Sequence, residues 1–470
     1  MNWLSSKLRN IRRSIDTSKW LLLAIFLLLN GLFQWTSIHF GYKRYFISAE
    51  IFLAFLIVSL GIKWIGSAIF IFSVFQEIFL GMTKVFYLFN YSQISTIASF
   101  AFEAKPSYLG ALAICSGLLA LLFIKSIKLL RSVSWKRIFT TGIMLALGQG
   151  ALSFREGNFL YPSYLERRDL IFGSSSYFIG NLQSLNEQAF FLTSNDNVEY
   201  HRINQPSAAS LSLSEPLPEK ILFIIAESWG KPKDNSLLEK QTAAIKSSPN
   251  STDIQFGSIH ALGSTIFGEF RELCGKIPTK LKFKNISRDE KSVGECLPAS
   301  LYTKGYKTIS LHGAHSTMYG RLEWYPVVGF HEMIFREILP ISQKTECYSF
   351  PGYCDKYLFS TVKEKLLSTQ KTFVYWMTLN SHTPYDQRDV TNFRENICKS
   401  TFGENYNHQL CIYHQLHTQF FEELAEMIND KKMHGVKVVI VGDHAPIFND
   451  ESSRLQFEAD QVPMLQFTVR

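Results

Sequence analysis

Asp443 and His444 stand side by side, directly after the stretch Val436-Lys437-Val438-Val439-Ile440-Val441-Gly442. A carboxylate oxygen and an imidazole nitrogen next to each other are a natural pair of metal ligands. Three more places in the chain present a polar residue in the same way. Glu227 follows Lys220-Ile-Leu-Phe-Ile-Ile-Ala, His312 follows Lys307-Thr-Ile-Ser-Leu, and His382 comes shortly after Thr372-Phe-Val-Tyr-Trp-Met-Thr-Leu. Taken singly, each is a strand-end residue facing water. Four on one sheet edge favour a site for metal or phosphate.

The elements that must position these residues can be read from the apolar runs. Unbroken β-branched residues from Val438 to Val441 suit a central strand buried on both faces. In open α/β sheets the carboxyl edge of such strands is where ligands bind. From Lys220 onward strand patterns alternate with helical ones, predicting a mostly parallel sheet covered by helices. Helices are expected at 268–275, 296–304, 355–367 and 411–430. The last is amphipathic, with Leu416, Phe420, Leu424 and Met427 on one side. His414 and His417 share its surface at a spacing metal sites use, but no third ligand lies near them in sequence, so packing is their expected role.

Charge and hydropathy divide the chain. Residues 1–153 hold 15 Lys/Arg and 4 Asp/Glu, leaving 33 basic and 36 acidic residues in the remainder. The formal net charge of +8 therefore belongs to the apolar N-terminal part and gives no support for nucleic-acid binding. Five stretches, near 20–40, 46–62, 65–89, 108–124 and 138–154, approach the roughly 20 apolar residues a bilayer requires. Lys7, Arg9, Arg12, Arg13 and Lys19 precede the first; Lys125, Lys128, Arg131, Lys136 and Arg137 separate the fourth from the fifth. The positive-inside rule puts both clusters in the cytoplasm and everything after about residue 155 outside. The first run is long and lacks a small-residue cleavage site, which points to a retained anchor and not a signal peptide.

Cysteine usage agrees. Cys115 falls inside a predicted span, whereas Cys274, Cys296, Cys347, Cys354, Cys398 and Cys411 lie in the outer part. An even number in an oxidising compartment predicts disulfides, and sequence neighbours could pair as 274–296, 347–354 and 398–411. The set fits a bacterial periplasm. Residues 205–218, rich in Ser and Pro, read as a linker. The expected organisation is thus a helical membrane domain at 1–154, a membrane-proximal segment and linker at 155–218, and an α/β domain at 219–470.

Thr265 supplies the nucleophile of this reading. It stands ahead of a helical stretch, where a plain N-cap role is the bland alternative. A helix N-terminus also favours negative charge, so a hydroxyl there is placed to bear or attack a phosphoryl group. A bound divalent metal would lower its pKa. Glu227, Asp443 and His444 could hold that metal, with Thr265 as the fourth ligand.

The ordered set Glu227, Thr265, His312, Arg321, His382, Asp443-His444 resembles the sulfatase-like branch of the alkaline phosphatase superfamily. It is most similar to lipoteichoic acid synthases and phosphoglycerol transferases, with phosphoethanolamine transferases as relatives. The resemblance covers most of residues 220–470. Glu269-Phe270 after Thr265 resembles the nucleophile segment, and Tyr319 stands where those synthases often carry Trp. It implies a bundle of about five transmembrane helices and an extracytoplasmic catalytic domain. It also implies one or more divalent ions, zinc or manganese. The implied substrate-binding residues are His312, Tyr319, Arg321 and His382. The implied reaction moves phosphoglycerol or phosphoethanolamine from a phospholipid donor to a glycan or lipopolysaccharide-type acceptor through phospho-threonine. Two other readings stand beside it: a phosphodiesterase or sulfatase-type hydrolase of the same fold, and an inactive lipid-binding membrane regulator. Thr265 cannot become formylglycine and no Cys/Ser-x-Pro-x-Arg context surrounds it, which weighs against sulfate ester cleavage.

Overall fold

The computed structural model describes residues 20–36, 47–85, 106–130, 133–155, 200–202, 208–261, 265–278, 295–340, 342, 344–350, 352–404, 406–448 and 450–470. They fall into two units, Met1–Ser194 and Asn195–Arg470.

The first unit is helical: α1 (Trp20–Thr36), α2 (Ala49–Ser59), α3 (Lys63–Val85), α4 (Pro106–Leu130) and α5 (Trp135–Arg155). Apolar residues dominate each, and Leu29, Ile51, Ala54 and Phe55 are buried among them. Phe70 stacks on Phe123 with ring centroids 3.8 Å apart. Ser48 caps α2 by accepting from the Ile51 N–H, and its own N–H donates to Asn30. Five helices thus lie where five spans were expected. Among the described residues, Ala113–Leu130 within α4 is the stretch long and apolar enough to cross a bilayer; α1 and α2 are apolar but shorter. The 11 residues of α2 cannot span a hydrocarbon core of about 30 Å at 1.5 Å per residue. Residues 156–199, expected along the membrane surface, lie outside the described residues.

The second unit is built on a sheet of seven strands. In chain order they are β2 (Lys220–Ala226), β3 (Ser251–His260), β5 (Lys307–His312), β6 (Glu332–Ile334), β7 (Thr372–Met377), β8 (Lys437–Gly442) and β9 (Gln461–Val469). A separate antiparallel pair joins β1 (Tyr200–Arg202) to β4 (Lys276–Pro278). The spatial order is β3-β9-β8-β2-β7-β5-β6. The five strands from β8 to β6 run parallel, and β9 closes one side antiparallel to β8 and β3. Their composition explains the placing. The five residues Ile221–Ile225 have no exposed surface, nor does any of Phe373–Met377 or Val438–Val441, as continuous apolar strands between two helical layers require.

Helices cover this sheet: α6 (Asn235–Gln241), α7 (Ala243–Ser247), α8 (Thr265–Cys274), α9 (Leu297–Thr303), α10 (Arg321–Val328), α11 (Phe359–Leu366), α12 (Glu395–Phe402), α13 (His408–Met427) and α14 (Glu451–Arg454). The helix after Gly263-Ser264 begins at Thr265, three residues before the expected start. Asn407 caps α13, accepting from the Leu410 N–H, while Leu416, Phe420 and Leu424 turn inward as the amphipathic pattern predicts. Residues 208–218 do not hang free. Ala208 and Ala209 are buried, and the Ser210 N–H donates to Glu272 Oε2, so the Ser/Pro-rich stretch lies along this unit.

Three disulfides staple the connections, in the expected neighbour pairing: Cys274–Cys296, Cys347–Cys354 and Cys398–Cys411. The first ties the end of α8 to the start of α9, and the last ties α12 to α13. Cys115 is free and exposed on α4. Thiol labelling of denatured, unreduced protein is expected to modify Cys115 alone; label on several outer cysteines would contradict both the pairing and an oxidising compartment.

Candidate active site

Register places the site. Ala226 pairs with Gly442, and His312 with Met377 across β7, so four adjacent parallel strands end almost level. The residue after β2 is Glu227, the residue after β8 is Asp443, β5 ends in His312, and the turn after β7 reaches His382. A slip of one residue in any strand would turn its ligand away from the others.

Glu227, Asp443 and His444 bring three ligand atoms within 4.8 Å of one another, all buried. His444 Nε2 lies 3.3 Å from Asp443 Oδ2 and 3.5 Å from Glu227 Oε1. Thr265 Oγ1 joins them, 3.3 Å from Glu227 Oε2 and 3.5 Å from His444 Nε2. Asp443 Oδ1 accepts the N–H groups of Ser228 and His444, at 2.7 and 2.8 Å, whereas its buried Oδ2 has no hydrogen-bond partner. Ser228 makes this possible in a left-handed conformation with φ of 54°, and its hydroxyl donates to Glu227.

Electrostatics show what the cluster calls for. Burial raises Asp443 and the neighbouring Glu227 charge raises it further, while the His444 cation holds Glu227 low despite its burial. Burial works against the His444 cation, but the two carboxylates outweigh it and lift the imidazole to about 10. Two carboxylates this close need a positive charge between them. An orphaned carboxylate oxygen, a second carboxylate, an imidazole and a hydroxyl suit a divalent ion of the zinc or manganese type.

Glycines allow the close approach. A Cβ on Gly268 would stand 2.8 Å from Asp443 Cβ and 2.9 Å from its Cα, so α8 can lie against the end of β8 only without one. Gly442 meets the Trp229 carbonyl in the same way. Arg271, one turn further along α8, is fully buried and donates to the Gly442 and Asp443 carbonyls at 2.7 and 3.2 Å. That clamp belongs to the site's frame. Its residue type and position in the sequence gave no sign of it, because the acceptors are backbone atoms 171 and 172 positions away.

The remaining expected residues surround Thr265. Tyr319 adopts φ of 56°, hydrogen-bonds Thr265 and lies beneath the Arg321 guanidinium, 5.0 Å from ring to cation. Arg321 is buried and ion-paired with Glu269, which takes both Nε and Nη2 and also accepts from the hydroxyls of Tyr325 and Tyr375. Its Nη1 has no partner. Glu269 therefore aims the guanidinium and leaves one edge of it available. His312 Nδ1 donates to the Met377 carbonyl at 2.9 Å, and His382 Nδ1 to the Thr383 carbonyl at 2.6 Å, turning each Nε2 free. Burial and the Arg321 charge drive His312 down to about 3, and burial lowers His382, so both are neutral. The turn bearing His382 is bolted to β2: Ser381 donates to the Glu227 carbonyl and the Glu227 N–H donates to Thr378. Asp355, which no motif singled out, accepts the N–H groups of Leu379 and Asn380 and holds the same turn.

Two outcomes follow. Gly268→Ala is expected to push α8 off Asp443, costing about 1–3 kcal/mol of stability and about 10–100-fold in zinc affinity; unchanged zinc affinity would show that α8 does not set the ligand geometry. Because His444 carries a proton at pH 7 before metal binds, zinc uptake should release about one proton or more, read by calorimetry in buffers of different ionisation enthalpy. Uptake with no proton release would remove His444 from the ligand set.

The family model described as Sulfatase matches residues 219–467. No curated protein matches the sequence. Among solved structures, the lipoteichoic acid synthase LtaP of Listeria monocytogenes is 18% identical, with 53% of this chain and 65% of that one aligned at a TM-score of 0.39. This chain thus spans slightly less than two thirds of that protein's length. The phosphoglycerol transferase GacH of Streptococcus pyogenes, in complex with sn-glycerol-1-phosphate, is 17% identical over 61% and 73% of the two chains, at 0.35. The C-terminal periplasmic domain of EcEptC from Escherichia coli, in complex with Zn, is 15% identical over 58% and 76%, at 0.37. With more than half of its length matched by the family model, the chain belongs to the sulfatase family.

Proposed function

We propose that the protein is a membrane-anchored phosphotransferase. It would move a phosphoglycerol or phosphoethanolamine head group from a phospholipid to an extracytoplasmic glycan or lipopolysaccharide-type acceptor through phospho-Thr265. The observation that carries this reading is the Thr265 hydroxyl at the first position of α8, inside the Glu227–Asp443–His444 cluster and beside a buried arginine with a spare N–H. A threonine so placed suits covalent catalysis on phosphorus, and it cannot supply the aldehyde hydrate of sulfate ester cleavage.

Glu227, Asp443, His444 and Thr265 would hold a divalent ion, which when bound would lower the threonine pKa and draw charge from the phosphoryl oxygens. Arg321 Nη1 is the donor for a phosphodiester oxygen, since its other edge is occupied by Glu269. Thr265 Oγ then forms the new bond to phosphorus while the bond to the diacylglycerol oxygen breaks. The hydroxyl proton ends on that departing oxygen, carried by the free Nε2 of His382, since burial and the Arg321 charge leave His312 too weak a base for the transfer. In the second half an acceptor hydroxyl bonds to phosphorus, Thr265 departs, and the proton returns to it. The helix N-terminus favours the negative charge at each stage. A multi-pass anchor in the bacterial inner membrane, with the catalytic unit in the periplasm, would keep the site near its lipid. Three disulfides in that unit support the placing.

The full chain with zinc or manganese should release diacylglycerol from fluorescent phosphatidylglycerol or phosphatidylethanolamine, and chelation should stop it. Thr265→Ala should lower the rate by about a thousandfold or more while the protein still folds. An alanine variant keeping more than about a tenth of the activity would exclude Thr265 as nucleophile. If neither lipid is consumed with metal and a crude glycan acceptor present, the transferase reading fails and the regulator reading gains.

A further inference from the structure

His382 is held by contacts of two kinds. Its Nδ1 donates to the Thr383 carbonyl, and its ring lies against the ring of Phe350, with centroids 4.5 Å apart and planes inclined by 49°. The hydrogen bond decides which nitrogen carries the proton, but by itself it lets the imidazole tilt about that one contact. A ring packed against the imidazole removes the tilt.

Phe350 is buried, and the hairpin that presents it is tied down along its length. Cys347 and Cys354 close it with a disulfide, and the Cys347 N–H donates to the Gly352 carbonyl. Asp389, itself buried, accepts the N–H groups of Tyr348 and Ser349, both at 2.8 Å. The Tyr353 N–H donates to the carbonyl of Gly313, the residue after His312, at 2.8 Å. The approach is close enough to demand glycine. A Cβ on Gly352 would stand 2.5 Å from Leu379 Cδ2 and 2.7 Å from the Gly313 carbonyl oxygen. Beyond the hairpin, Asp355 accepts the Leu379 and Asn380 N–H groups, while Asn380 Oδ1 accepts the Asp355 N–H at 2.8 Å. One disulfide-closed hairpin therefore touches both the residue after His312 and the turn that leads to His382.

We propose that Phe350, presented by the Cys347–Cys354 hairpin, is a positioning residue for His382, its ring holding the imidazole where Nε2 meets the Thr265 proton. The inference rests on the reading of His382 as the proton carrier between Thr265 and the departing oxygen. Phe350 touches no substrate and moves no proton. Its contribution is geometric, because a base transfers a proton only within hydrogen-bond reach and a misplacement of about 1 Å can cost about a hundredfold. The plain alternative is a Phe350 that only fills the hairpin, and the two differ in what happens once His382 is gone.

The test is a double-mutant cycle on the full-length protein loaded with zinc. Phe350→Ala is expected to slow diacylglycerol release from fluorescent phosphatidylglycerol or phosphatidylethanolamine by about 10–100-fold, mostly in kcat. Phe350→Tyr, which keeps the ring, should restore most of the rate. In a His382→Ala background the same Phe350→Ala change should cost less than about twofold, because the group it aims is absent. Equal losses in both backgrounds would overturn the proposal, since a residue that only supports the fold lowers both rates alike. A second measurement needs no lipid turnover. Diethyl pyrocarbonate acylates neutral imidazole, and mass spectrometry counts it on each histidine peptide. Modification of His382 should quicken severalfold in Phe350→Ala and in the bulkier Phe350→Leu, with exposed His434 unchanged and buried His414 unreactive as a check on the fold. An unchanged rate at His382 in both variants would overturn the positioning. If wild type consumes neither lipid while the labelling shifts as expected, the transferase reading fails and the contact with His382 stands.

Discussion

Two carboxylates buried within a few ångströms of each other are the constraint around which this domain is arranged. Glu227 and Asp443 follow neighbouring parallel strands that end level, and neither can leave the other without breaking a sheet ladder. Burying like charges is costly unless a cation lies between them. In the chain's own atoms His444 answers that need, and the Thr265 hydroxyl joins the cluster beside Glu227 and His444. The surrounding frame serves this one arrangement. Ser228 takes a strained conformation to present its N–H to Asp443, Gly268 lets a helix lie flush on it, and Arg271 anchors the carbonyls beneath.

A second arrangement is built beside the first with the opposite logic. Arg321 is a buried cation, and Glu269 supplies its counter-charge together with two tyrosine hydroxyls that complete the carboxylate's shell. A buried ion pair of this kind adds little to stability against an apolar core. Its value is orientation, since both Nε and Nη2 are fixed and only Nη1 is left for a ligand. The Thr265 hydroxyl and the buried cation are therefore set by the same helix, Thr265 at its start and Glu269 one turn on. Histidines fill the other wall, each with Nδ1 committed to a backbone carbonyl.

The disulfides act at the periphery of this frame. Cys274–Cys296 ties the end of α8 to α9, and Cys347–Cys354 closes the hairpin before Asp355, whose Phe350 packs on the His382 ring at 4.5 Å. Such cross-links act mainly by limiting the unfolded chain. Here they also hold the two segments that deliver Thr265 and His382.

How much of this was legible in the sequence depends on the range of the interaction. The strands were, because a parallel strand buried on both faces must be continuously apolar, as Val438–Val441 and Ile221–Ile225 are. The strand-end residues were, since a polar group directly after such a run is positioned by the strand itself. Neighbouring cysteines paired because short loops keep them close. What the chain alone did not determine is everything set by contacts between distant segments. Arg271 reads as an ordinary helix residue, and only the packing of α8 on β8 makes it a clamp. Asp355 carries no motif, yet it holds the His382 turn. His417 reads as a possible ligand from its spacing to His414, and only the fold shows it buried within α13, against the Tyr413 ring. Periodicity reports which face of an element is buried, and only the packed fold decides what that face meets.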